Sequence, residues 1–76
     1  MKDMREMLQG IWKEILELED MPSTDESFFD LGGNSFTAAQ IIAVLEEKTG
    51  KTLDVVDFYD HETIEEFLVL LEKNDN

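Results

Sequence analysis

Cysteine is absent from the chain, which excludes disulfides, a thiol nucleophile and thiolate metal ligands of the protein's own. Basic residues are scarce: six Lys and Arg stand against nineteen Asp and Glu, a formal net charge of -13 over 76 residues. A field of that sign repels nucleic-acid phosphates and anionic membrane surfaces, so neither is expected as a partner; it steers proteins with a basic docking surface toward the chain. Histidine occurs once, at His61, and nothing in the sequence sets it against a serine to make a catalytic triad. Long apolar runs are missing as well. The longest, IIAVL at 41–45 and FLVLL at 67–71, have five residues each, against the roughly 20 that a membrane span needs. The N-terminal MKDMREMLQGIWKEI is broken by polar residues too often to hold the apolar centre of a signal peptide. The expectation is a cytoplasmic protein, monomeric and folded as one domain over residues 1–76.

What is present supports a core. With 42% hydrophobic and 33% charged residues, the composition is that of a globular domain and not of a disordered tail. Met4, Met7, Leu8, Ile11, Trp12, Ile15 and Leu18 recur at helical spacing, which predicts a first helix over 3–18. Pro22 and the Ser/Thr/Asp cluster of 19–27 open a long loop, and Phe28, Phe29 and Leu31 are expected to pin it to the core. A second helix is predicted from Ser35 to Thr49, closed by Gly50. At 100° per residue, Ala38, Ile41, Ile42, Leu45 and Thr49 share the core side, while Phe36, Gln40, Ala43 and Glu47 face away from it. VVDFYD at 55–60 has room only for a short helix or turn. Thr63 and Glu66 form a T-x-x-E capping box for a last helix running to about Lys73, with Ile64, Phe67, Leu68 and Leu71 on its buried stripe. The fold class is therefore all-α: a small four-helix bundle of three main helices and one short third helix.

Chemistry has few places to reside. An EF-hand loop needs glycine at its sixth position, but counting from Asp25 the sixth residue is Asp30, and counting from Asp30 it is Ser35. No metal site is expected, and a short helical bundle offers no substrate cleft, so an enzyme is not expected either. GGNS at 32–35 remains. Serine is a favoured N-cap and glycines permit the turn before it, so Ser35 reads as a helix cap. Yet its hydroxyl is sterically open, with Phe36, Ala39 and Ala43 as an apolar patch beside it, and such a patch on a charged surface marks a contact site. A phosphate on Ser35 would meet a helix N-terminus, which favours anions.

These residues carry a resemblance. DLGGNS, then IIAVLEEKTG, Leu53, Val55, Phe58, Tyr59 and T-I-x-x-F at 63–67, together resemble an acyl-carrier-protein-like domain without a gap from about Phe28 to Leu68. The GG-x-S form is similar to that of peptidyl carrier proteins, the thiolation domains of nonribosomal peptide synthesis. The resemblance implies that Ser35 receives 4'-phosphopantetheine from coenzyme A. The donor reaction is run by a magnesium-dependent phosphopantetheinyl transferase that brings its own base. The thiol of the arm then holds an aminoacyl, aryl or peptidyl group as a thioester. It further implies loading by an adenylating or ligase enzyme and docking to condensation, thioesterase or tailoring enzymes through Phe36, Gln40, Ala43, Val44, Val56 and Tyr59. Core packing of Phe36, Val56 and Tyr59 is the competing expectation.

Asp54 and Glu62 stand where the family often has proline, which predicts less rigid starts to the third and fourth helices. The chain has the look of a free-standing carrier, and an excised module of a synthetase would read the same way. Two other readings stay open: an acyl carrier of fatty acid or polyketide synthesis, whose motif more often reads D-S-L, and an acidic helical adaptor acting by protein contact alone.

Overall fold

The computed structural model describes residues 3–73. It contains four helices in the order α1 (Met4–Ile15), α2 (Ser35–Thr49), α3 (Val56–Asp60) and α4 (Ile64–Lys73), and among the described residues no strand. α1 packs on both α2 and α4. The predicted bundle of three main helices and a short third one is the architecture observed.

Trp12 of α1 lies at the centre of the core. Its ring meets Phe28 of the long loop at 6.0 Å, Phe58 of α3 at 5.7 Å and Phe67 of α4 at 5.6 Å between centroids. All four rings are fully buried, so one aromatic cluster ties three helices and the loop together. The indole Nε1–H is buried and has no acceptor among the described residues, so the Trp12 side chain is held by packing and not by a hydrogen bond. Leu8, Ile11, Ala38, Ile41, Leu45, Leu53, Ile64 and Leu71 complete the core. Ile42 and Leu68, expected inside, lie half-buried against it. Thr49 is also half-buried, its hydroxyl donating to the Leu45 carbonyl at 2.7 Å.

α1 is shorter than its hydrophobic stripe. It stops at Ile15 because Glu17 adopts a left-handed backbone with φ of 57°. The Leu18 N–H then donates to the Lys13 carbonyl at 2.9 Å and the Glu17 N–H to that of Glu14 at 3.4 Å, the paired bonds of a Schellman motif. The prediction of helix to residue 18 fails at this turn, and Leu18, half-buried, lies outside the helix. α2 ends as expected, with Gly50 at φ 73° and its N–H on the Glu46 carbonyl.

The long loop is fastened at both ends. Gln9 Nε2 donates to the Pro22 carbonyl at 2.8 Å. The Glu65 N–H donates to Thr24 and the Phe28 N–H to Glu62, carbonyl acceptors in each case. Hydrogen bonds also occupy the two positions where the family often has proline. Asp54 accepts from the Val56 N–H at 3.1 Å and its own N–H donates to Asp57 at 3.0 Å. The Glu62 N–H donates to Glu66, which also accepts from the Thr63 N–H while Thr63 Oγ1 accepts from the Glu66 N–H. The T-x-x-E box is thus formed, and both helix starts are tied down without a proline ring.

Candidate functional site

The turn from Phe28 to Ser35 is built by two glycines with different tasks. Gly32 has φ of 97°, a region that side chains with a Cβ avoid. Gly33 has an ordinary φ, but a Cβ there would lie 2.5 Å from carbons of the buried Phe28 ring, so it is excluded by contact. The Gly32 N–H donates to the Phe29 carbonyl at 3.1 Å and the Gly33 N–H to that of Phe28 at 3.0 Å. The turn is wrapped around the two phenylalanines that precede it.

Ser35 is not the cap. Asn34 holds that position, its Oδ1 accepting from the Thr37 N–H at 3.0 Å while its own N–H donates to Thr37 Oγ1 at 2.9 Å. This reciprocal pair is a capping box, and it corrects the expectation drawn from the favoured-cap rule. Ser35 becomes the first residue of the helix, exposed, with no hydrogen bond to its hydroxyl among the described residues. The Ala38 N–H is taken by the Asn34 carbonyl and the Thr37 N–H by the Asn34 side chain. Of the first-turn donors, the N–H groups of Ser35 and Phe36 are therefore left without an acceptor among the described residues. The first turn of α2 carries no acidic residue, so no carboxylate of its own competes for those donors. Two free N–H groups at the positive end of a helix, beside an open hydroxyl, suit a phosphate ester on that oxygen.

The surroundings are neutral. Residues 31–45 contain no charged side chain, in a chain of which a third is charged, a signal that helical periodicity does not reveal. Within that stretch Phe36 is 72% exposed, so it does not fold back on the core. Gln40 and Ala43 are exposed and Val44 is half-buried against the core. In α3, Val56 is 54% and Tyr59 55% exposed, so the competing expectation of core packing fails for both. Tyr59 stacks on Phe29, with centroids 4.9 Å apart and planes at 30°, which ties α3 to the glycine turn. The role of Phe29 in this contact was not legible in the sequence.

The other candidates lead elsewhere. His61 closes α3, its N–H donating to the Asp57 carbonyl at 2.9 Å, with Nδ1 3.3 Å from the same oxygen. Among the described residues no group of three or more His, Cys, Asp and Glu side chains is arranged to hold a metal ion. No helix among them is long and apolar enough to cross a membrane. A cleft of about 210 Å³ between Met4, Lys51, Leu68, Leu71 and Glu72 opens where α4 and the segment after α2 end, whereas Ser35 begins α2.

Residues 6–71 match the family described as "Phosphopantetheine attachment site". The chain is 40% identical over 72 residues to a plipastatin synthase of Bacillus subtilis, covering 95% of this chain and 2% of that protein. It is 38% identical over 71 residues to a surfactin synthase of the same organism, covering 93% of this chain and again 2% of the relative's length. A solved structure of the same fold is the solution structure of a non-covalent extended docking domain complex of the Pax NRPS, PaxA T1-CDD/PaxB NDD. It superposes with a TM-score of 0.86 at 23% identity, over 97% of this chain and 70% of that one. A fold shared at that level, a family match spanning α1 to α4, and an open serine hydroxyl in the first turn of α2 converge: this chain belongs to the phosphopantetheine attachment site family, as a peptidyl carrier domain.

Proposed function

We propose that Ser35 is the residue that carries 4'-phosphopantetheine, and that the domain serves a nonribosomal peptide synthetase as a substrate tether and not as an enzyme. The observation that carries the reading is the division between Asn34 and Ser35. Because Asn34 caps α2, the Ser35 hydroxyl is free to react, and the N–H groups of Ser35 and Phe36 are free to receive the phosphate that results.

In the attachment step, Ser35 Oγ attacks the phosphorus of coenzyme A that bears the pantetheine arm. A phosphodiester bond forms, the phosphoanhydride bond breaks, adenosine 3',5'-bisphosphate leaves, and the serine proton passes to a base of a phosphopantetheinyl transferase. His61 closes α3, with Nδ1 3.3 Å from the Asp57 carbonyl. When bound, the group supplies the thiol that this cysteine-free chain lacks and holds an aminoacyl, aryl or peptidyl unit as a thioester. The chain's own part is to hold the attachment point at the end of a capped helix and to offer a contact surface to each partner. Phe36, Gln40, Ala43, Val56 and Tyr59, with the rim of Val44, make that surface for the transferase, an adenylating enzyme, and condensation, thioesterase or tailoring enzymes. Tethering raises the effective concentration of substrate at each of them, so each docking can be brief.

The test is incubation with coenzyme A, magnesium and a broad-specificity transferase, followed by intact mass measurement. A gain of about 340 Da is expected for the wild type and none for Ser35→Ala. Absence of a gain would favour an acidic adaptor, and a gain that persists in Ser35→Ala would take the attachment point away from Ser35. Phe36→Ala should slow loading while leaving the circular dichroism spectrum and melting temperature unchanged, since most of the ring is already in solvent. Loss of fold in that variant would remove Phe36 from the contact surface and return it to the core.

A further inference from the structure

An exposed aromatic ring on a five-residue helix has little to hold it: α3 runs only from Val56 to Asp60, and only Phe58 in it is buried. Tyr59 is nevertheless held. Its ring stacks on Phe29 at 4.9 Å, and Phe29 in turn meets the buried Phe28 edge-on at 5.2 Å and 78°. The backbone of the same two phenylalanines accepts the Gly32 and Gly33 N–H groups, and the Phe28 ring fills the space beside Gly33. A ladder of three rings therefore runs from the core, past the turn that presents Ser35, to the exposed face of α3.

We propose that Phe29 is a positioning residue for docking. It registers the apolar face of α3, Tyr59 above all, against the start of α2, so that partner enzymes meet Ser35, Phe36 and Tyr59 as one rigid surface. Phe29 is itself half-buried, packed against the core, and need not touch a partner to act. The inference rests on the reading of Ser35 as the attachment point. An aromatic stack is worth about 0.5–1.5 kcal/mol beyond burial. Its loss should therefore appear as a rise of about 2- to 13-fold in the carrier KM of the transferase, with kcat little changed, because the serine, its cap and the free N–H groups remain.

The experiment measures transferase kinetics for the wild type, Phe29→Leu, Phe29→Met, Phe29→Tyr, Tyr59→Leu and the double variant Phe29→Leu/Tyr59→Leu, with melting temperature as the fold control. Leu and Met fill the site with different shapes, so one folded variant of the two suffices. The expected result is a raised KM in Phe29→Leu or Phe29→Met, restoration by Phe29→Tyr, and a double variant no worse than Tyr59→Leu alone. A wild-type KM in the folded Leu or Met variant would overturn the proposal, as would effects of Phe29 and Tyr59 that simply multiply. If the wild type gains no mass at Ser35, the underlying reading fails and the proposal with it. If the wild type loads normally and Phe29→Leu loads with the same KM, only the positioning role fails.

Discussion

At position 34 the side chain caps, and at position 35 it reacts. Asparagine and serine rank equally as N-caps, so propensity cannot choose between them, and the decision falls to Thr37, whose hydroxyl accepts the Asn34 N–H and completes the box. This assigns separate energetic roles that can be measured. Asn34→Ala should cost about 1 kcal/mol of folding stability, while Ser35→Ala should stay within about 0.5 kcal/mol of wild type, both by urea denaturation. A larger loss in Ser35→Ala than in Asn34→Ala would give the cap back to serine. The glycines separate in the same way. Gly33→Ala drives a methyl into the buried Phe28 ring and should cost about 1–3 kcal/mol, the usual range for overpacking. At Gly32 the space is open, and any loss there comes from the left-handed backbone alone.

At the scale of elements, the end of α1 is the place where stability can be gained. Glu17 takes a left-handed backbone in a Schellman turn, a conformation that costs an L-residue about 1–2 kcal/mol and that glycine adopts freely. Glycine also gives the unfolded chain more freedom to lose, so Glu17→Gly should gain about 1 kcal/mol or less, a rise of up to about 4–8 °C in Tm. A lower Tm would mean that the Glu17 side chain contributes more than its backbone costs. The same turn explains what the sequence could and could not reveal. The bounds of α2 were legible because a glycine turn precedes Ser35 and Gly50 marks the close, although its cap at Asn34 was not. The end of α1 was not, because the apolar spacing continues to Leu18 while the chain turns at a glutamate that no propensity favours. α3 has five residues, too few for periodicity to sort faces, so the exposure of Val56 and Tyr59 had to come from the fold. Phe29 was expected to pin the loop, but its stack on Tyr59 is a contact between residues thirty positions apart. No local pattern encodes it.

At the scale of the whole molecule, two electrostatic effects of opposite salt dependence compete. The first is self-repulsion: the described residues put eighteen acidic side chains against five basic ones in a body of 34 × 29 × 20 Å. At 0.01 M salt the Debye length is about 30 Å, so every carboxylate feels nearly every other. The second is the pair that joins α1 to α4, Arg5 Nε and Nη2 donating to Glu65 at 2.8 and 2.9 Å. Those hydrogen bonds, first of all, hold the Glu65 carboxyl down at about 2. Both side chains are about half exposed, so the pair is a minor contributor, and screening it loses less than screening the repulsion gains. Tm at pH 7 should therefore rise between about 0.01 and 1 M salt, where the Debye length falls to about 3 Å; a fall would make the ion pair dominant. The pair itself is read by pH. Its carboxyl titrates below the ordinary 4.5 in the folded state, so its stabilisation is complete above about 4.5 and is lost as pH falls through about 2. The stability difference between wild type and Glu65→Gln, followed by urea denaturation, should be level above 4.5 and close as pH approaches 2. A difference that held constant across that window would mean that Glu65 does not gain its partner on folding.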